Sequence, residues 1–302
     1  MIYIDDSIMQ KGIPATAGSK ILENFIAPFD ATVITRLKDT TQRIKLSEFG
    51  LGDPGKLPCS SGEPLLCNDV FGFVRARAAE QNLCCIRPSY GTVSRFGLIP
   101  TASSMDQIGI VCKNPSEGFS LLEAIAGHDE NDGAMFPVKN YSYNCEKKNL
   151  RKRILQASEL YSDLHSQILQ ILGFAEISSN LSRYDGIKFG YRAPNYKNLE
   201  DLYLKTRTEA FGREAKLAVL MGCMLLSQDY YEKYYEKSMK IRRLIKESLL
   251  FDTYDLIELP VESPLAVLTG LPSLSFISNG KPVQLMADAK KESFLRAAWE
   301  SQ

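Results

Sequence analysis

The feature that most constrains the fold is a strand-then-helix signal in the first half of the chain. Residues 105–112 contain the apolar run I-G-I-V-C, a short segment of the kind that forms a strand buried on both faces. Pro115 then opens an amphipathic segment that runs to about Gly127. Proline suits the first turn of a helix, where its missing N–H has no intrahelical partner to lose. A strand buried on both faces needs cover on both, so the pairing implies an α/β fold with a mixed, twisted sheet flanked by helices.

Other segments are read around that unit. Short helices are expected over 19–25 and 30–37, with Asp30 as the N-cap of the second. The glycine- and proline-punctuated stretch 43–62 reads as loop. Longer helices are expected over about 151–182, 199–207, 214–226 and 230–250, which makes the C-terminal half helix-rich. In the first of these, Ile154, Leu160, Leu164, Ile168, Ile171 and Leu172 recur at helical spacing. Segments 254–257 and 274–277 are expected strands, the second followed by an Asn279-Gly280 turn. The polar, basic stretch 138–152 reads as linker-like. It separates region 1–137 from a helical region with terminal strands, 153–302, inside one expected domain of 302 residues.

Composition excludes several roles. Lys+Arg and Asp+Glu number 36 each, so no global field draws the chain to nucleic acid or an anionic membrane. Lys237, Lys240, Arg242, Arg243 and Lys246 offer a basic stripe on the 230–250 helix, but interspersed glutamates make it a solvated face, and no direct nucleic-acid binding is expected. The seven cysteines form no C-x-x-C pair and suit a reducing compartment. With only His128 and His165 available, neither metal nor cofactor is expected. No apolar run reaches the roughly 20 residues of a membrane span. The N-terminus lacks a basic and then apolar leader, and a cytoplasmic location is expected.

Six collinear blocks carry a resemblance. They are the segment 88–129 (P-S-Y-G-T-V-S-R-F-G-L-I-P-T-A-S-S-M-D-Q-I-G-I-V, then A-I-A-G-H-D), the segment 12–33 (G-I-P-A-T-A-G-S-K-I-L-E-N-F-I-A-P-F-D-A-T-V), and 178–192 (S-S-N-L-S-R-Y-D-G-I-K-F-G-Y-R). T-R-T-E-A-F-G-R-E at 206–214 with Y-Y-E-K-Y-Y at 230–235, and T-G-L-P-S-L-S at 269–275, complete the set. Together they resemble the amidase-signature family, above all the A subunits of glutamyl-tRNA(Gln)/aspartyl-tRNA(Asn) amidotransferases.

The resemblance implies a serine nucleophile, a middle serine and a neutral lysine that relays the proton, with the acyl oxyanion held by backbone N–H groups. Carried onto this chain, the lysine position is Asp5, the middle serine is Ser60, and the nucleophile position is Phe73; only Ser60 matches. Cys59, Glu63, Pro64 and Phe71 stand where the resemblance implies small residues that let backbone approach the substrate. A benzyl side chain has no lone pair with which to attack a carbonyl. The head-group arginine of the family falls on Ala218 and its acidic partner at about Pro260, and neither can pair with a charged head group. Relative to the family, the chain looks shortened near 52–58, near 64–70 and between Gly127 and Leu172.

Three functional readings follow. The first is a catalytically defective amidase-signature homologue, a pseudoenzyme acting as a binding or assembly partner. Its implied partners are the B- and C-like subunits of a tRNA-dependent amidotransferase, or an active A-like subunit. The second is an A-type subunit with residual glutaminase or amidase activity, for which Cys59 or Cys67 with Asp5 or His128 as base would be needed. Nothing basic lies near these thiols in sequence except Lys56, so they read as ordinary free cysteines. The third is a decaying paralogue without function. Asp69 and Asp106 read as scaffold residues, His128 as a helix cap, and Ser60, Ser61 and Gly62 as a possible anion-binding loop.

Overall fold

A computed structural model describes residues 1–59, 62–145, 149–155 and 162–301. Strand β5 (Ile108–Cys112) is buried at all five positions, as its apolar run implies. It lies between β3 (Leu65–Asn68) and β4 (Cys84–Arg87), antiparallel to both. Gly109 permits this closeness, because a Cβ there would lie 2.7 Å from the carbonyl oxygen of Ile86. On one side the sheet continues through β1 (Ile2–Asp5) to the edge strand β2 (Thr41–Ile44), both joined in parallel. On the other side β4 pairs with β8 (Ser273–Ser278), followed by β9 (Lys281–Ala287), β7 (Leu256–Pro260) and the edge strand β6 (Lys152–Ile154). These nine strands of the described residues form one mixed sheet, and β4–β8 is the seam that joins its two halves.

Helices cover both faces, and the strands' period of two sends alternate side chains to each. Helix α1 (Thr32–Arg36) and α3 (Pro115–Ile125) pack on one face, where Phe119, Leu122 and Ile125 meet Ile86, Ile108 and Ile110. The Asn114 side chain accepts from Ser116 N at 3.0 Å, capping α3 immediately before its proline. The other face carries α2 (Phe73–Glu80), whose Val74 and Ala78 pack on Leu65, Cys67, Cys85 and Val111. Further along that face lie α4 (Ser162–Leu181), α5 (Leu199–Ala210), α6 (Arg213–Leu225), α7 (Lys237–Glu247) and α8 (Leu265–Thr269). Helices α4 and α6 touch backbone to backbone: a Cβ on Gly222 would sit 2.1 Å from Phe174 O. Helix α9 (Glu292–Glu300) returns to the α3 face through Leu295.

Several local expectations are corrected. Only a 3-10 turn, Lys20–Leu22, forms within 19–25, with the Ser19 hydroxyl at its N-cap. Ala31 and not Asp30 precedes α1; the Asp30 carboxylate instead accepts Lys11 N at 2.7 Å. The stretch 43–62 overlaps β2 and contains a 3-10 turn at Glu48–Gly50. The segment 151–182 is not one helix. Lys152–Ile154 pairs in parallel with β7 and is held there by Asp255 accepting Arg151 N at 2.9 Å and by Lys152 bound to Glu258 at 2.7 Å. Ile154 therefore lies exposed on an edge strand, while Ile168 and Leu172 are buried on α4; Leu160 lies outside the described residues.

Within 230–250 a π-helical turn, Tyr231–Glu236, precedes α7. Two cations of the basic stripe are paired, Lys240 with Glu236 and Arg243 with Glu247, and Arg242 turns inward to donate to Leu268 O and Ser104 Oγ. Asn279 (φ 50°) and Gly280 (φ 74°) link β8 to β9, the left-handed pair that a tight hairpin requires. In the stretch 138–152, Tyr143 is buried against Phe119 at 5.9 Å between ring centroids. No helix of the described residues is long and apolar enough to cross a membrane.

Candidate functional site

The turn from β3 into α2 positions the side chains of interest. Asp69 accepts Val74 N at 3.0 Å and so takes a free N–H of the first helical turn, where a carboxylate also complements the helix dipole. It pairs with Arg75 at 3.1 Å, and both side chains are largely out of solvent. Arg75 also donates from Nε to Val261 O (3.0 Å) and from Nη2 to Ser263 O (3.1 Å), which pins the loop after β7 to the start of α2. Phe73 is the first residue of α2, and 43% of it is exposed. Its ring lines a cleft of about 370 Å³ with Phe71, Phe174, Leu217, Glu214 and Glu262. Phe71 and Phe174 pack at 5.9 Å between centroids.

Asp5 ends β1 and is buried, with its carboxylate accepting from the Ser7 hydroxyl. Burial is the main cause that pushes its pKa up from 3.8 to about 7; the Ser7 bond opposes the shift and the nearby charge of Asp6 adds to it. Asp5 lies near Cys67 on the adjacent strand and is not among the described residues of the cleft wall. The structure thus separates the two residues that the resemblance assigns to the lysine and nucleophile positions: Asp5 is buried at the end of β1, and Phe73 opens to the cleft.

Ser60 and Ser61 lie outside the described residues. Their neighbour Gly62 donates its N–H to Cys59 O at 3.2 Å. Cys59 is fully buried, its Sγ 3.8 Å from Val111 O, and burial pushes the thiol up to about 12. Cys67 is buried as well and is driven well above the ordinary thiol range by the same desolvation. Neither offers a thiolate near neutral pH. His128 is exposed and its Nδ1 is 3.2 Å from Phe136 O. At the end of α3 it is Arg36 that donates to the carbonyl of the last helical residue, Ile125 O, at 2.8 Å, and to Gly127 O just beyond it at 3.0 Å. Ala218 is buried inside α6, and Pro260 ends β7.

Asp106 anchors the turn before β5. It accepts Asn68 Nδ2 at 2.8 Å and the N–H groups of Thr101 and Ala102, each at 3.0 Å. Arg87, lowered to about 10 by burial, donates to Asp69 O and Met105 O and ties this turn to the start of α2. Among the described residues no group of three His, Cys, Asp or Glu is placed to hold a metal ion.

An Amidase family model matches residues 66–159 and 148–286. The chain belongs to the amidase family. The A subunit of glutamyl-tRNA(Gln) amidotransferase from Listeria welshimeri is 34% identical over 390 aligned positions, covering 97% of this chain and 81% of the relative. That alignment is longer than the 302 residues present here, so the relative carries segments that this chain lacks. Its counterpart from Lachnoclostridium phytofermentans is 34% identical, over 85% of this chain and 66% of the relative. Among solved structures, the glutamyl-tRNA(Gln) amidotransferase A subunit of Thermotoga maritima superposes with a TM-score of 0.66 at 26% identity, covering 97% of this chain and 80% of that one. The native peptide amidase of Stenotrophomonas maltophilia, 20% identical over 99% of this chain and 81% of its own, shares the fold with a TM-score of 0.69.

Sequence reasoning does not find Glu214 and Glu262 as cleft residues. They stand far from Phe73 in the chain, and only the packing of α4 on α6 and the Arg75 clamp bring the three together.

Proposed function

We propose that this amidase-family chain is a non-hydrolytic member, a pseudoenzyme that forms one scaffold over 1–302 and acts by binding. The observation that carries this reading is Phe73 at the first turn of α2, an aromatic ring at the position the family resemblance gives to the nucleophile. Losing a triad nucleophile costs about a million-fold in turnover. The buried acid Asp5 at the lysine position and the protonated, buried thiols Cys59 and Cys67 support it further. The partners implied are B- and C-like amidotransferase subunits or an active A-like subunit, in the cytoplasm and without direct contact to nucleic acid. Purified protein, alone and with such subunits, is expected to release no ammonia from glutamine or simple amides above background, and affinity capture is expected to recover those subunits. A steady ammonia rate, or capture that recovers none of them, sinks the proposal.

A second reading is an A-type subunit with residual glutaminase activity, favoured by the 34% identity over 97% of the chain. Its signature is an ammonia rate abolished by Cys59→Ala or Ser60→Ala. A paralogue without function would instead show a broad, non-cooperative thermal transition.

A further inference from the structure

We propose that the aromatic cleft beside α2 binds an organic cation, an arylalkyl or alkyl ammonium group that carries no carboxylate. The inference builds on the non-hydrolytic reading and names the ligand class of that same cleft. At about 370 Å³ the cavity is within the size range of small-molecule sites. Three phenylalanines, Phe71, Phe73 and Phe174, supply ring surface, and Phe73 and Leu217 are exposed to 43% and 49%. Large apolar side chains left open inside a concavity are better covered by an apolar ligand than by water.

Charge selects the class. Among the described residues, the wall holds two carboxylates, Glu214 and Glu262, and no lysine, arginine or histidine. Neither carboxylate has a hydrogen-bond or ion-pair partner among the described residues. Ring faces and carboxylates attract the same kind of guest, because both present negative potential. An anion would meet repulsion from both glutamates, and a neutral donor would offer them a hydrogen bond without the opposite charge that an ammonium brings.

The two carboxylates stand on fixed backbone. Glu262 lies between Val261 and Ser263, whose carbonyl oxygens are both held by the buried Arg75. Glu214 sits in the first turn of α6, where Glu48 accepts Gly212 N at 2.9 Å and anchors the helix start. Less ordering is then left for the ligand to impose on binding.

The test is calorimetric titration of the full chain with three matched probes: 2-phenylethylammonium, 2-phenylethanol and phenylacetate. The ammonium is expected to bind at least about tenfold more tightly than the alcohol, with phenylacetate weakest, and the preference shrinks with added salt. Glu262→Gln and Glu214→Gln, both at exposed positions, are each expected to weaken the ammonium about five- to tenfold and the alcohol by much less, with the melting temperature measured alongside to exclude a fold defect. Phe73→Ala is expected to weaken ammonium and alcohol alike. No binding by any probe, equal affinity for all three, or an ammonium affinity untouched by both Gln variants overturns the proposal. Ammonia release from phenylacetamide, followed in parallel, separates the two ideas: turnover removes the non-hydrolytic reading, whereas loss of the charge preference removes this one.

Discussion

Asp106 and Phe73, in neighbouring turns of the same sheet, differ in how much each holds up. Around Asp106, one buried carboxylate accepts three hydrogen bonds, two of them from backbone N–H groups, and Arg87 ties the turn to Asp69 O. At the start of α2, Phe73 supports nothing of the kind; its ring lies half open to a cleft. A position that contributes chemistry and no packing can be replaced without cost to the fold, whereas a position that satisfies buried N–H groups cannot. The scaffold accommodates an aromatic ring at Phe73 for that reason, whereas the buried acid at Asp5 does cost the fold stability as pH rises.

The contrast makes quantitative predictions. The largest effect is expected for Asp106→Ala, which leaves Asn68 Nδ2 and two backbone N–H groups without their acceptor; about 4 kcal/mol of stability is lost by urea unfolding. A loss under about 1 kcal/mol would erase the distinction between the two turns. Asp5 comes next, and its sign is opposite to that of a salt-bridged acid. Its pKa is about 7 in the folded chain against an ordinary 3.8, so the folded protein holds the extra proton between these values. Stability therefore falls as pH rises from about 4 to 7, by at most about 4 kcal/mol from this group. Asp5→Asn keeps an acceptor for Ser7, removes that slope and stabilises the protein at pH 8. Urea midpoints across pH check it, and parallel curves for the two proteins would show that Asp5 ionises freely.

Arg75→Ala should cost about 3 kcal/mol, since it strands Asp69 and releases both carbonyls of the Glu262 loop. Phe73→Ser should change stability by less than about 1 kcal/mol and restore no amide hydrolysis, because the hydroxyl gains no basic relay at Asp5. Ammonia release by that single variant would show that the scaffold still supplies the rest of the machinery.

Much of the scaffold is legible in the sequence because local chemistry and tertiary structure agree there. The I-G-I-V-C run, the Pro115 helix start and the Asn279-Gly280 turn each carry their own structural cause. Lys152–Ile154 misleads because its strand state comes from β7 and from Asp255 and Glu258, a hundred residues on, while Ile154 happens to fall at helical spacing. Asp30 fits an N-cap, but the nearby Lys11 N–H claims its carboxylate. In the site, Asp5 and Phe73 are found only through the family resemblance; nothing in their local sequence marks them. Glu214 and Glu262 are invisible, since a cleft is a property of packed elements and not of any one segment.

The seam between β4 and β8 has a bearing on how the chain is made. Cys85 lies beside Ser275, so the sheet cannot close until the last strands have left the ribosome. Until then β4 presents a bare, cysteine-bearing edge to its surroundings, which exposes a half-built chain to mispairing and to chaperone capture far more than the finished one.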